Sequence, residues 1–302
     1  MRIIKLSFIA VLFLNAATSA QSPDEISIKK DVVYSKAAGR ELKLDIGQPE
    51  GDGPFPTVVF FHGGGWQQGD KWHMHKWIRK VVSSGYVGVS VAYRFAPEFK
   101  WPTQIEDAKE AVRYIRAHSK ELKVDAGNIG VMGESAGGYL AMMVGLTSPK
   151  DSLDGHSALS QFSSEVQAVV TYFSATDFTA PRQKLTSELE LEMQNYYKKS
   201  LPEVLADFTG AKDPADPRLK KISVLPYIDE KDPPILIFQG DADPFVSVDH
   251  AIKLKMALEK VNVPHELVIV KGGGHGWTGA VQDNTTRQMM EFFDRTLRKV
   301  RK

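Results

Sequence analysis

The 302-residue sequence contains no cysteine, so no disulfide can form, and the folded state has to be stabilised by its core. The sequence also has almost no net charge, because 38 lysines and arginines against 37 aspartates and glutamates leave +1. A balance this close to zero provides no basic surface for nucleic acid or for an anionic membrane. We therefore expect neither of these as a partner, and we do not expect a polyanionic substrate.

Residues 1–20 have the pattern of a signal peptide. A basic start at residues 1–5 precedes a short apolar run at 6–14, and small residues at 18–20 offer a cleavage site. The apolar run is too short to span a bilayer, and the absence of cysteine excludes a lipoprotein anchor. We expect export to the periplasm or the medium after cleavage near Ala20, which leaves residues 21–302 as one domain.

The segment Gly133-Glu134-Ser135-Ala136-Gly137 carries the strongest indication of chemistry in the chain. Residues 128–132 before it are predicted to form a buried strand, and residues 138–144 after it a helix. At such a strand-to-helix turn, a glycine two positions to either side of the serine allows a tight backbone that exposes the hydroxyl. The pattern therefore predicts that Ser135 is a nucleophile.

A glycine-rich loop, His62-Gly63-Gly64-Gly65-Trp66, follows the apolar run at residues 57–61. Such a loop can turn backbone N–H groups toward an oxyanion, and the residue after the nucleophile, Ala136, supplies a further N–H. No Gly-Lys-Ser or Gly-Lys-Thr follows the loop, so a nucleotide-binding P-loop is excluded. The loop is predicted to form part of an oxyanion hole.

Two later strands end in loops that carry candidate partners for Ser135. Asp241 and Asp243 follow the apolar run at residues 234–239, and His275 follows the run at 265–270. Serine, aspartate and histidine in this order are typical of α/β-hydrolases. The histidine would accept the serine proton, and an aspartate would hold the imidazole in the required tautomer.

The two aspartates compete for this role. Asp243 lies deeper in the loop and is followed by Pro244, which stiffens the turn, whereas Asp241 lies nearer the strand end. We predict that Asp243 orients His275 and that Asp241 caps the turn.

Together these motifs resemble the α/β-hydrolase superfamily, in particular esterases of the hormone-sensitive-lipase-like branch and small secreted bacterial carbohydrate esterases. The spaced match runs from about Val58 to Trp277 and includes Tyr93-Arg94-Phe95-Ala96-Pro97-Glu98. The resemblance implies that Gly64 and Gly65 direct their N–H groups into the oxyanion hole. It also implies a serine esterase without a cofactor, acting on small or carbohydrate-borne esters such as acetyl or feruloyl groups on plant polysaccharide.

The remaining pattern alternates strands with helices after a leading hairpin, which favours a parallel sheet covered on both faces. We predict an α/β-hydrolase fold: a mostly parallel, doubly wound sheet of about eight strands with helices on both faces and a small cap insertion. The proline-rich stretch 179–233 interrupts the alternation where such a cap would lie over the site. The alternative to a cap is a solvent-exposed surface segment that has no role in the site.

Trp66 and Trp277 lie beside the oxyanion loop and the candidate histidine, and both are candidate walls of the substrate pocket. Ordinary core packing is the alternative for each. If both tryptophans fill the acyl side of the site, the pocket is short and favours acetyl to butyryl esters.

Two further groups are not expected to act in the site. His73 and His75 do not suggest a metal site, because residues two apart on a helix do not share a face and no further ligand follows at suitable spacing. Arg94 and Glu98 are predicted to belong to an ion-paired structural loop below the site.

The sequence thus predicts an exported serine esterase that hydrolyses short-chain carboxylic esters through Ser135, His275 and Asp243. Two alternatives remain open. The same groups could cleave an amide, as in arylformamidase-like hydrolases, or the chain could be a non-catalytic binding protein on a hydrolase scaffold.

Overall fold

The structure, a computed structural model, describes residues 26–180 and 184–298. The predicted signal peptide at residues 1–20 lies outside these described residues. The eight strands of the sheet are β1 (Ile28–Ala37), β2 (Arg40–Gly47), β3 (Phe55–Phe61), β4 (Val87–Val91), β5 (Val124–Glu134), β6 (Ala168–Tyr172), β7 (Ile235–Gly240) and β8 (His265–Val270).

The strands lie in the order β1-β2-β4-β3-β5-β6-β7-β8. The leading hairpin of β1 and β2 is antiparallel, and β2 also pairs antiparallel with β4. The remaining pairs, from β4 through β3 and β5 to β8, are all parallel. The carboxyl ends of β3, β5, β7 and β8 therefore meet at one edge of the sheet, and ligands bind at this edge in open α/β folds.

The described α-helices are α1 (His75–Ser83), α2 (Thr103–Ala117), α3 (Ala136–Leu146), α4 (Ser187–Tyr197), α5 (Leu201–Thr209), α6 (Arg218–Ile222), α7 (Val248–Lys260) and α8 (Gly279–Leu297). Cores on the two faces of the sheet are formed with different helices: α1 and α8 on one face, and α2, α3 and α7 on the other. No helix in the described part of the chain combines the length and apolar character needed to cross a bilayer.

Strand β3 shows why this sequence forms a sheet that is buried on both sides. Val58 and Phe60 contribute to the core beneath α1 and α8, whereas Val59 and Phe61 contribute to the opposite core. Successive side chains of a strand point to opposite faces, so a continuous apolar run requires cover on both. The predicted α/β-hydrolase fold, with a mostly parallel sheet and helices on both faces, is confirmed.

The segment predicted as a cap forms α4, α5 and α6 and is attached to the body by backbone carbonyls. The backbone N–H of Trp101 donates to the carbonyl of Phe208 at 2.9 Å. The hydroxyl of Tyr139 donates to Ile222 O at 2.7 Å, and Gln67 Nε2 donates to Val204 O at 2.8 Å. The last bond joins α5 directly to the glycine-rich loop.

Arg94 and Glu98 are both ion-paired, but with different partners. The Arg94 guanidinium binds the carboxylate of Asp107, with Nη2 to Oδ1 at 2.5 Å and Nε to Oδ2 at 2.9 Å. Asp107 is only 2% exposed and also accepts the backbone N–H of Arg94. Glu98 instead pairs with Arg40, and both of these side chains are more than half exposed. The buried pair fixes the segment that follows β4.

We expect the two ion pairs to differ strongly in their effect on stability. Asp107→Asn leaves the Arg94 guanidinium, which is only 13% exposed, without its counter-charge and should lower the free energy of unfolding by about 3–5 kcal/mol. Glu98→Gln, the matched control in the exposed pair, should cost at most about 1 kcal/mol. Urea unfolding of both variants measures the difference in the free energy of unfolding. Equal losses in the two variants would show that the Arg94–Asp107 pair stabilises the fold no more than the exposed pair does.

Candidate active site

Ser135 occupies a one-residue turn between strand β5, which ends at Glu134, and helix α3, which begins at Ala136. Its backbone has φ 52° and ψ −119°, and a positive φ is uncommon for a residue with a side chain. A Cβ on Gly137 would lie 2.0 Å from Phe61 O, and one on Gly133 would lie 2.1 Å from Gly137 O. Only glycine fits on either side of this strained turn, which is the geometry of a nucleophile elbow.

The structure brings the three predicted catalytic side chains together. His275 Nε2 lies 2.8 Å from Ser135 Oγ, and His275 Nδ1 lies 2.8 Å from Asp243 Oδ2. Because a carboxylate can only accept, Nδ1–H donates to Asp243, and Nε2 is then free to accept the hydroxyl proton of Ser135. The Asp243 carboxylate is fully buried, whereas the imidazole is 21% exposed.

Asp243 is fixed by several donors besides His275. Its Oδ1 accepts the backbone N–H groups of Phe245 at 2.9 Å and Val246 at 3.0 Å, and its Oδ2 accepts Gln239 Nε2 at 3.1 Å. Gln239 was not identified from the sequence, although a glutamine within the apolar strand β7 is an unusual feature that could have indicated it. These bonds hold the carboxylate in the position that faces His275.

The loops that carry Asp243 and His275 are tied to each other. Asp241, which is exposed, accepts the backbone N–H of Gly272 at 2.6 Å through Oδ1, and the N–H of Ala242 donates to Gly273 O at 3.0 Å. A Cβ on Gly240 would lie 2.1 Å from Gly273 O, so the two chains approach too closely for any other residue. Asp243 therefore faces His275, whereas Asp241 joins the two loops.

The glycine-rich loop is positioned through His62. This ring is buried, donates from Nδ1–H to Gly63 O at 2.8 Å and stacks on Tyr93 with ring centres 4.5 Å apart. The hydroxyl of Tyr93 donates to His62 O at 2.9 Å. Burial lowers the pKa of His62 to about 4, so the imidazole is neutral at pH 7 and acts as a structural anchor.

The loop lies directly against the turn at Ser135. A Cβ on Gly63 would be 3.4 Å from the Ser135 Cβ. None of the hydrogen bonds between described residues uses the backbone N–H groups of Gly64, Gly65 or Ala136. These unpaired donors beside the serine are suited to stabilising negative charge on a substrate oxygen.

Two cavities open on Ser135 and His275, and Tyr196 and Tyr197 border both. The first, which we call the roofed cavity, has a volume of about 310 Å³. Besides these four residues it is lined by Gly65, Trp66, Ala136, Ala175, Asp177, Phe178, Ala180, Glu192, Met193, Leu201, Val204, Leu205, Thr209, Leu219, Phe245, Val246, Ser247 and His250. Helices α4 and α5 supply much of this lining.

The second cavity, which we call the Trp277 cleft, has a volume of about 330 Å³. Its other lining residues are Gly63, Gly64, Lys76, Glu134, Phe173, Gly276, Trp277 and Gln282. Charged and amide side chains thus make up a larger share of the lining of this cleft than of the roofed cavity.

The two candidate tryptophans lie on different sides of Ser135. Trp66 is 5% exposed, stacks on Phe208 with ring centres 4.0 Å apart, and forms a wall of the roofed cavity. Trp277 packs edge-on against Phe173, and its Nε1–H donates to Thr285 Oγ1 at 3.0 Å. The two tryptophans therefore line different cavities beside Ser135 and not one common pocket.

His73 and His75 have partners unrelated to either cavity. His75 Nε2 lies 2.7 Å from Asp45 Oδ2, and His73 Nδ1 accepts the backbone N–H of Asp70 at 3.2 Å. Among the residues that the structure describes, no three His, Cys, Asp or Glu side chains are grouped so that they could hold a metal ion.

A serine at a strand-to-helix turn of a mostly parallel sheet, facing a histidine and an aspartate on later loops, places the protein among the α/β-hydrolases. Within that superfamily the chain belongs to the BD-FAE family of esterases, whose model matches residues 44–258.

Comparison with known proteins agrees with this assignment. A truncated carbohydrate esterase from gut microbiota has a TM-score of 0.73 and 26% identity, covering 92% of this chain and 98% of that one. Est2 of Thermogutta terrifontis with bound propionate has a TM-score of 0.70 and 25% identity, with coverage of 92% and 98%.

Curated sequences also include similar esterases. Ethyl acetate hydrolase of Pseudomonas putida is 26% identical over 270 residues, which are 86% of this chain and 77% of that protein. Five ester hydrolases of Mycobacterium tuberculosis also match, and the chain spans about half of their length or less, between 28% and 53%.

The contacts of the two aspartates generate a paired prediction. Asp243→Asn keeps the shape of the side chain but favours the wrong tautomer of His275, so kcat for nitrophenyl acetate should fall by about a hundredfold or more. Asp241→Asn retains an oxygen to accept the Gly272 N–H and should change kcat by less than about threefold. If the two losses are reversed, Asp241 is the orienting carboxylate.

Proposed function

We propose that this protein is a serine carboxylesterase that works through Ser135, His275 and Asp243. The observation that carries the proposal is the pair of 2.8 Å contacts joining Ser135 Oγ to His275 and His275 to Asp243. The unpaired N–H groups of Gly64, Gly65 and Ala136 beside the serine support it further. Membership in an esterase family supports the same reaction.

In the acylation step, Ser135 Oγ attacks the carbonyl carbon of the ester while its proton passes to His275 Nε2. The carbonyl oxygen becomes an oxyanion, which accepts hydrogen bonds from Gly64, Gly65 and Ala136. When the tetrahedral intermediate collapses, the bond to the alcohol oxygen breaks and His275 returns the proton to that oxygen. The alcohol leaves, and the acyl group remains on Ser135.

Deacylation repeats these steps with water as the nucleophile. His275 Nε2 takes a proton from the water as its oxygen attacks the acyl carbon, and the same N–H groups hold the second oxyanion. The proton then returns to Ser135 Oγ as the acid is released. Through both steps the Asp243 carboxylate keeps Nδ1 protonated and stabilises the imidazolium.

We further propose that the roofed cavity binds the acyl group and the Trp277 cleft binds the alcohol. The roofed cavity is lined largely by apolar side chains from α4, α5 and the body, which suits an acyl chain. Lys76, Glu134 and Gln282 line the cleft, and such side chains suit the hydroxyl groups of a sugar. In this assignment the segment 179–233 acts as a cap over the acyl group.

The substrates that fit this division are esters of compact acids, including acetyl or feruloyl esters borne on plant polysaccharide. The roofed cavity, at about 310 Å³, is at the small end of the range of roughly 300–1,000 Å³ found for ligand sites. Two similar proteins support this proposal. Est2 of Thermogutta terrifontis binds propionate, a compact acid, and the protein from gut microbiota is named a carbohydrate esterase.

We also propose that the protein is exported. The support is the sequence pattern of residues 1–20: a basic start, a short apolar run and small residues before the expected cleavage point near Ala20.

Replacement of the nucleophile tests the proposed activity. Ser135→Ala removes one hydroxyl at the turn, so kcat for nitrophenyl acetate should fall at least about a thousandfold while the circular dichroism spectrum is preserved. Release of acetate from acetylated xylan, or of ferulate from feruloylated arabinoxylan, should be lost in parallel. Ser83→Ala, the same change at the end of α1, should leave the rates unchanged.

Retention of more than about a tenth of the wild-type kcat by Ser135→Ala would remove this serine from the mechanism. Absence of any ester hydrolysis by the wild-type protein would instead favour a binding protein on a hydrolase scaffold.

A further inference from the structure

A second histidine, His250, lines the roofed cavity from the first turn of α7. Its ring is fixed by the loop that follows β6. Nδ1 lies 3.2 Å from the backbone nitrogen of Thr176 and 3.3 Å from that of Asp177, and both N–H groups donate to it. The hydroxyl of Thr176 donates to His250 O at 2.9 Å, so the backbone is held as well.

These contacts determine the tautomer of the ring. Because two backbone N–H groups donate to Nδ1, this nitrogen carries no proton, and the neutral imidazole must carry its hydrogen on Nε2. Burial lowers the pKa of His250, which keeps the ring neutral at pH 7. The side chain therefore offers one N–H donor at Nε2.

This donor has no hydrogen-bond acceptor within residues 26–180 and 184–298. Two other polar groups of the cavity wall already have partners: Asp177 accepts Lys253 Nζ at 2.7 Å, and the Thr209 hydroxyl donates to Leu205 O at 2.7 Å. A donor that lines a mainly apolar cavity without a protein acceptor favours a ligand atom that can accept its hydrogen bond.

We propose that His250 determines specificity by donating a hydrogen bond from Nε2 to an oxygen carried by the acyl group. This inference rests on the proposed esterase function and on the assignment of the acyl group to the roofed cavity. The enzyme then prefers acyl groups that bear a hydroxyl, ether or carbonyl oxygen over hydrocarbon groups of the same size. A hydrocarbon would leave the Nε2–H without a partner, whereas an oxygen acceptor satisfies it.

The test compares esters that differ by one oxygen. Two pairs place it on the acid: methyl butyrate with methyl 3-hydroxybutyrate, and methyl cinnamate with methyl 4-hydroxycinnamate. We expect the oxygenated member of at least one pair to have a kcat/KM about tenfold higher with the wild-type enzyme. A third pair, ethyl acetate with 2-hydroxyethyl acetate, places the oxygen on the alcohol, and we expect no preference there that depends on His250.

Three variants distinguish recognition from a structural role. His250→Asn keeps an oxygen near the position of Nδ1 to accept the N–H groups of Thr176 and Asp177, but it lacks the donor at Nε2. In this variant kcat/KM should fall more on the oxygenated ester than on its hydrocarbon partner, so that the preference drops to about onefold. His250→Gln places an amide N–H near Nε2 and should restore part of the preference.

His118→Asn is the matched control, because His118 lies directly after α2, away from both cavities, and its Nδ1–H donates to Tyr114 O. This variant should keep the full preference. A preference that persists in His250→Asn, or that is absent from both acyl pairs in the wild type, overturns the inference. An equal loss on every ester overturns it too, since that outcome indicates a structural role. A His250-dependent preference on the alcohol pair alone overturns the acyl assignment. Hydrolysis of nitrophenyl acetate by the wild type tests the proposed esterase function separately.

Discussion

The site depends on one constraint, the close packing of the backbone around Ser135. With φ at 52°, this residue is held in a conformation that stays populated only because its surroundings leave no alternative. Gly137 lies against the carbonyl of Phe61 at the end of β3, and Gly63 of the following loop lies against Ser135 itself. The same packing that exposes the hydroxyl also places the glycine-rich loop beside it, so that Gly64 and Gly65 line the cavities that open on Ser135.

The two sides of Ser135 differ in chemistry, and this difference underlies the proposed division of the substrate. On one side, α5 packs its Phe208 on Trp66 and is bonded to the glycine-rich loop through Gln67. The resulting space is lined mainly by apolar side chains, and His250 is one of the polar residues in its wall. On the other side, Lys76 and Glu134 border a cleft beside Trp277. An ester bound across the serine would meet apolar surface at its acid and polar surface at its alcohol.

Much of the framework could be predicted from local sequence, because apolar runs define the strands and the carboxyl ends of parallel strands meet at one edge. Ser135, Asp243 and His275 each follow such a run, so their proximity follows from topology. The contacts of Gln239 and His250 could not be predicted in this way. His250 is held by backbone groups at Thr176 and Asp177, and no periodicity relates positions so far apart. The direction of Trp277 likewise depends on Thr285 of α8, a contact set by the turn between them.

The central claim is that Ser135 is the nucleophile, and covalent trapping tests it most directly. A nitrophenyl alkylphosphonate resembles the tetrahedral intermediate, and attack by the serine expels nitrophenolate and leaves a stable phosphonyl group on the oxygen. We expect peptide mapping by mass spectrometry to find a single adduct on the peptide that contains Ser135, with no adduct in Ser135→Ala. An adduct on another residue, or inhibition without any adduct, would contradict the assignment.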